Sequence, residues 1–168
     1  MRTWMPLKRG GQTMASKLPS RQLVVDACVL RAAGETEHLV SSRCRYTLNS
    51  ILAICHHAVL DDRLRAEWKK HASRRAKKWW GTMQRRGKID KASPYKAAIR
   101  YAGESKEDRA IIEKDRMLID IAHGTGKIII TLDTTLMQAL RHAGNTRFLN
   151  EIRWFHPVTE ADNYLETL

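Results

Sequence analysis

Three aspartates and one glutamate in this sequence stand where side chains could do chemistry. Asp26 closes the apolar run Leu23-Val24-Val25, and Asp133 comes just past the end of Lys127-Ile128-Ile129-Ile130-Thr131. Asp115 falls on a helical stripe with Ile111, Leu118 and Ala122, at successive offsets of four, three and four. A carboxylate on an apolar stripe is costly to bury without a partner. Glu67, beside Trp68 at the edge of another apolar stripe, is the fourth acid. Carboxylates gathered in one place repel one another and hold protons unless a cation offsets them. Hard oxygen donors suit Mg²⁺ or Mn²⁺. Such an ion lowers the pKa of a bound water and can align it on a phosphodiester.

The elements needed to bring these acids together are legible. Residues 21–26 and 127–131 read as buried strands, each ending at an aspartate. In open α/β sheets, ligands bind at the carboxyl ends of the strands, which is where both aspartates fall. Helices are expected after Asp26 as far as Ala33, from about Thr36 to Ile54, and from Asp61 to about Met83. A strand is expected over residues 56–60, a basic loop over 81–94 and a short helix over 94–101. Ser105-Lys-Glu-Asp108 fits a variant capping box that opens the helix of Asp115, and Gly124 and Gly126 end it. A helix over 134–140 and a strand over 152–155 complete the pattern. Gly124-Thr-Gly126-Lys127 resembles a phosphate loop, but it lacks the GxxxxGK[ST] spacing and lies between helix and strand in the wrong order. His56 and His57 are adjacent strand residues that point to opposite faces, which disfavours a shared metal.

Charge separates the rest of the chain from these acids. With 30 Lys and Arg against 18 Asp and Glu, the net charge is +12. Between Arg63 and Arg100 fourteen cations face only Glu67 and Asp90, so this third of the chain carries about the whole excess. A solvated helix face normally mixes signs. One that does not is suited to phosphates, and nucleic acid is the first polyanion to consider. The expected contacts are Lys69, Lys70, Arg74, Arg75, Lys77, Lys78, Arg85, Arg86 and Lys88. Trp68 and Trp79 sit on the apolar stripe and read as core, whereas Trp80 falls off it and could stack on a base. Positive surface around a negative, cation-binding centre is the charge logic of a metal-dependent nuclease.

At these residues the chain resembles the PIN-domain nucleases. The matching pieces are LVVDACVL around Asp26, LDDRLRAEW around Glu67, EKDRMLIDIA around Asp115 and IIITLDTTL around Asp133. The resemblance implies a three-layer α/β/α fold around a central, mainly parallel sheet of four to five strands. It implies four acidic positions around Mg²⁺ or Mn²⁺ and endonuclease action on RNA, often as the toxin of a bacterial toxin–antitoxin pair. Carried over by position, Asp26 and Asp133 are the strand-end acids, Asp115 the helix acid and Thr131 a supporting hydroxyl. Glu67 is the fourth, with Glu35 and Asp62 as rivals; Asp120 competes with Asp115 from about 140° around the helix. An antitoxin protein and a homodimer belong to the same set of implications.

The remaining readings are organisational. Residues 1–20 form an expected flexible basic arm, 21–158 the nuclease-like domain and 159–168 an acidic tail. No apolar run approaches the ~20 residues of a membrane span, so no membrane partner is expected. Three cysteines without a CxxC pair suggest neither a disulfide framework nor a zinc site, and point to the cytoplasm. The contrasting function is an RNA-binding module of the same fold that cleaves little or not at all.

Overall fold

The computed structural model describes residues 19–103 and 105–168. Five short strands, β1 (Gln22–Val25), β2 (His57–Leu60), β3 (Ile89–Lys91), β4 (Ile128–Ile130) and β5 (Arg153–Phe155), form one sheet in the order β3-β2-β1-β4-β5. Every neighbouring pair is parallel. β4 is apolar throughout, and β1 and β2 are apolar and buried after their first residues, Gln22 and His57, because helices cover both faces of the sheet. This is the expected α/β class, with the sheet flanked by helices as in a three-layer α/β/α arrangement. The chain builds outward from β1 through β2 to β3, then returns to place β4 on the other side of β1. The order therefore reverses between β1 and β4, and Asp26 and Asp133 follow those two strands.

The helices are α1 (Ala27–Ala32), α2 (Leu39–Ile54), α3 (Asp62–His71), α4 (Arg74–Arg85), α5 (Lys106–His123), α6 (Thr135–His142) and α7 (Thr146–Glu151). Several starts are capped as the residue types dictate. Asp26 caps α1, Asp61 caps α3 and Ser105 caps α5, each accepting from a backbone N–H of its helix.

Four expectations are corrected. The long basic helix from Asp61 is two helices. At the break, Ala72 is extended (ψ 132°) and the Ser73 hydroxyl accepts from Ala76 N at 3.1 Å. Ser73 also donates from N to Leu30 O and from Oγ to Ala33 O, so the end of α1 anchors the break. The supposed loop over 81–94 contains the end of α4 and the edge strand β3, whose single apolar residue, Ile89, gives no alternation to read. Residues 94–101 are not helical. Their backbone is held from outside, with Ala97 N donating to Asp120 and Arg100 N to Asn145, both at 2.8 Å. The second helix begins at Leu39 rather than near Thr36, with His38 as its cap. Helix α7 was not anticipated.

The end of the chain packs onto α2 and β2. Tyr164, Leu165 and Leu168 are buried, Tyr164 Oη and Thr47 Oγ1 are 3.1 Å apart, and His56 lies between Arg21 N and Leu165 O. Burial holds the His56 imidazole below the usual histidine range. His57 instead meets Asp90 at 2.9 Å. Of the expected basic arm, only Pro19 and Ser20 fall within the described residues. Among the described residues no helix is long and apolar enough to cross a membrane.

A candidate active site at the sheet switch point

The site grows from the reversal between β1 and β4. Asp26 N donates to Ile130 O at 2.9 Å, which fixes the end of β1 to the end of β4. Thr131 then reaches back, its Oγ1 donating to Asp26 Oδ2 at 2.7 Å. The same Oγ1 accepts from Asp133 N at 3.0 Å. One hydroxyl thus sets the spacing of both strand-end acids. Thr135 donates from N (2.8 Å) and Oγ1 (2.6 Å) to Asp133 Oδ1. The Asp133 carboxylate is thereby pinned to the first turn of α6, where the helix dipole favours negative charge.

Asp115 approaches from the middle of α5, half-buried, and Glu67 from α3, where it pairs with His71 at 3.3 Å. Glu67 is positioned by its neighbour. Trp68 is fully buried and donates from Nε1 to Val25 O at 2.8 Å, one residue before Asp26. The acids feel one another: burial pushes the Asp115 carboxyl up to about 6, Lys114 opposes, and Asp26, Asp133 and Glu67 add to the rise. Glu35 and Asp62 lie elsewhere, Glu35 in a pocket between α2 and α4 and Asp62 in a groove beside β3. Asp120 is 3% exposed and faces away from the acids, accepting from Arg63 and Ala97 and lying 3.7 Å from Arg116.

Cys28 is a part of the site that its sequence position did not disclose. Its Sγ donates to Asp26 Oδ2 at 3.0 Å and accepts from Leu132 N at 3.3 Å. Burial and the adjacent Asp26 push the thiol up to about 12, so it is a protonated donor and not a thiolate. The donors these residues could offer an ion are therefore carboxylate oxygens, whose chemistry suits Mg²⁺ or Mn²⁺ over a thiophilic metal. Among the described residues no group of three or more His, Cys, Asp or Glu side chains is placed to hold a metal ion. A hydrated Mg²⁺ needs only one or two carboxylates, so the donor chemistry fits.

The basic residues divide by position. Lys69 and Lys70 on α3, with Arg74, Arg75, Lys77 and Lys78 on α4, are exposed. Arg85 and Arg86 are exposed at the far end of α4, and Lys88 is half-buried near Cys55 O and His57. Those three lead into the start of β3, the sheet edge opposite the acids. Trp79 is buried; Trp80 is half-buried, meeting Trp68 edge-on with 5.5 Å between ring centres. A wide groove of about 840 Å³ borders the segment after β3, but Arg63, Lys91, Lys96 and Arg116 line it together with Asp61, Asp62, Glu113 and Asp120, so its charge is balanced. Comparison with models of known protein families, with curated proteins and with solved structures found no match for this chain.

Proposed function

We propose that this protein is a metal-dependent endoribonuclease of the PIN type. One observation carries the reading. Asp26 and Asp133 share Thr131 at the sheet switch point, and the Asp115 carboxyl, raised to about 6 first by burial, is raised further by Asp26, Asp133 and Glu67. Crowding carboxylates is unfavourable for the empty fold and useful for a site that takes up a divalent cation. Asp26, Asp115 and Asp133 are the residues that would hold Mg²⁺ or Mn²⁺, with Glu67 nearby. When bound, the ion supplies charge for the phosphodiester and a more acidic water.

The chain's own residues do the remainder. Thr131 and Cys28 orient Asp26, and Thr135 orients Asp133, so two carboxylates are aimed without rearrangement. The raised Asp115 carboxyl belongs to the metal-free fold, and a bound cation would offset the burial and like charge that raise it. The cations of α3 and α4 draw the RNA backbone toward an edge that its acids alone would repel. RNA is the proposed substrate and the cytoplasm the proposed compartment. A toxin role with an antitoxin partner, and pairing as a homodimer, extend the same reading.

Calorimetric titration with Mn²⁺ tests the site directly. The wild type binds the ion, and Asp133→Asn or Asp26→Asn weakens binding at least tenfold. Unchanged Mn²⁺ affinity in both variants would instead favour an RNA-binding module of this fold without cleavage. In a growth test, expression of a toxin arrests cells and Asp26→Asn relieves the arrest, whereas a processing nuclease is tolerated.

A further inference from the structure

We infer that the pocket between α2 and α4 binds a nucleoside phosphate at a site separate from the acidic one. The pocket encloses about 370 Å³, within the range of small-ligand sites. Arg45, Arg75 and Lys78 line it against one acid, Glu35, so its walls carry an excess of positive charge. Arg45 is fixed in advance: its Nη1 donates to Gly34 O and Thr36 O, each at 2.6 Å, and its side chain is only 11% exposed. Its acidic neighbour Glu37 is 3.6 Å away and 92% exposed, a weak counter-ion for a buried guanidinium. Arg75 and Lys78 are exposed and make no ion pair among the described residues. Two unpaired cations beside a preset guanidinium match the oxygens of a phosphate.

The other wall is apolar. Leu48, Leu52 and Trp79 line it. Trp79 itself is 6% exposed, so most of its ring packs into the core behind the pocket. Cations on one side and an apolar wall on the other fit a nucleotide better than inorganic phosphate. The nucleotide has two sources, a free mononucleotide or one unit of an RNA strand tracking along α4. Neither depends on cleavage at the acids.

The test is calorimetry on full-length protein carrying Asp26→Asn, so that RNA stays intact. The probes are adenosine 5′-monophosphate, adenosine, inorganic phosphate and a short single-stranded RNA. Adenosine monophosphate or the RNA is expected to bind more tightly than adenosine or phosphate. Arg75→Gln with Lys78→Gln should weaken that binding about tenfold or more. Glu35→Gln should tighten it. Arg85→Gln with Arg86→Gln removes equal charge outside the pocket and should leave monophosphate affinity unchanged. Binding of the monophosphate identifies the free ligand; binding of RNA alone identifies a strand unit when the pocket pair weakens it more than Arg74→Gln with Lys77→Gln, which removes equal charge from the same helix outside the pocket. If no probe binds, or if the pocket pair weakens binding no more than these control pairs, the pocket is not a nucleotide site. The nuclease reading, which rests on Asp26 and Asp133, is unaffected by either result.

Discussion

Thr131 Oγ1 donates to Asp26 Oδ2 at 2.7 Å and accepts from Asp133 N at 3.0 Å, so one side chain couples the two strand ends that meet at the switch point. The carboxylate of Asp26 is held by that hydroxyl and by the Cys28 thiol together. Removing a group that orients a ligand typically costs roughly 10–100-fold in metal affinity or activity. Thr131→Val should lower RNA cleavage by about that factor with little change in helix content, and Thr131→Ser should restore most of it. Equal activity in Thr131→Val and the wild type would show that the hydroxyl does not position the acids.

The raised Asp115 carboxyl has a consequence for stability. Its folded value lies above the ordinary one, so the folded state takes up the proton more readily than the unfolded chain. That contribution is fully present below about pH 4 and is lost as pH rises through about 6. At pH 7 the ionised carboxylate therefore opposes folding, by on the order of 1 kcal/mol once solvent screening of a half-buried group is allowed for. Asp115→Asn should raise the melting temperature at pH 7 in metal-free buffer while abolishing cleavage. A lowered melting temperature would contradict this account of the acid cluster.

Asp120 should behave in the opposite way. It receives Arg63 at 3.2 Å and the Ala97 N–H at 2.8 Å, and it is 3% exposed. Removing one partner of a buried ion pair leaves the others uncompensated and typically costs about 3–5 kcal/mol. Arg63 is itself 53% exposed, which places Asp120→Ala toward the low end, about 3 kcal/mol. Urea denaturation reads that loss, and limited proteolysis should find new cleavage within residues 92–101.

Gly126 is required by close approach. A Cβ there would stand 2.0 Å from Gln22 O, in the backbone of β1. Backbone has no rotamer to escape through, so Gly126→Ala should destabilise by about 2 kcal/mol or more. Thermal melts check it, with Gly103→Ala as a comparison. Among the described residues no atom stands within 4 Å of a Cβ there, so the strain of φ +77° is what opposes that change.

Much of the fold was readable because its signals were local. The apolar runs of β1 and β4, the caps at Asp26, Asp61 and Ser105, and the stripe on α5 are each written within a few residues. What failed to show was set by distant partners. The break before α4 depends on carbonyls of α1, and β3 exists because β2 offers an edge to three otherwise undistinguished residues. In the site, the aspartates were visible as strand-end acids. The thiol of Cys28 and the indole N–H of Trp68 were not, since each acts through a contact that only the folded chain supplies. Asp120 was visible as lying about 140° around α5 from Asp115, but its pairing with Arg63, 57 residues earlier, was not legible.

The most direct test of the central claim is cleavage of a mixed RNA substrate in Mn²⁺, Mg²⁺ or EDTA by the wild type, Asp115→Asn and Asp133→Asn. The wild type should cut with either ion and not in EDTA, and both variants should lose at least about a hundredfold in rate. RNA that binds with steep salt dependence yet stays uncut by the wild type in every condition, or is cut equally by all three proteins, would contradict it.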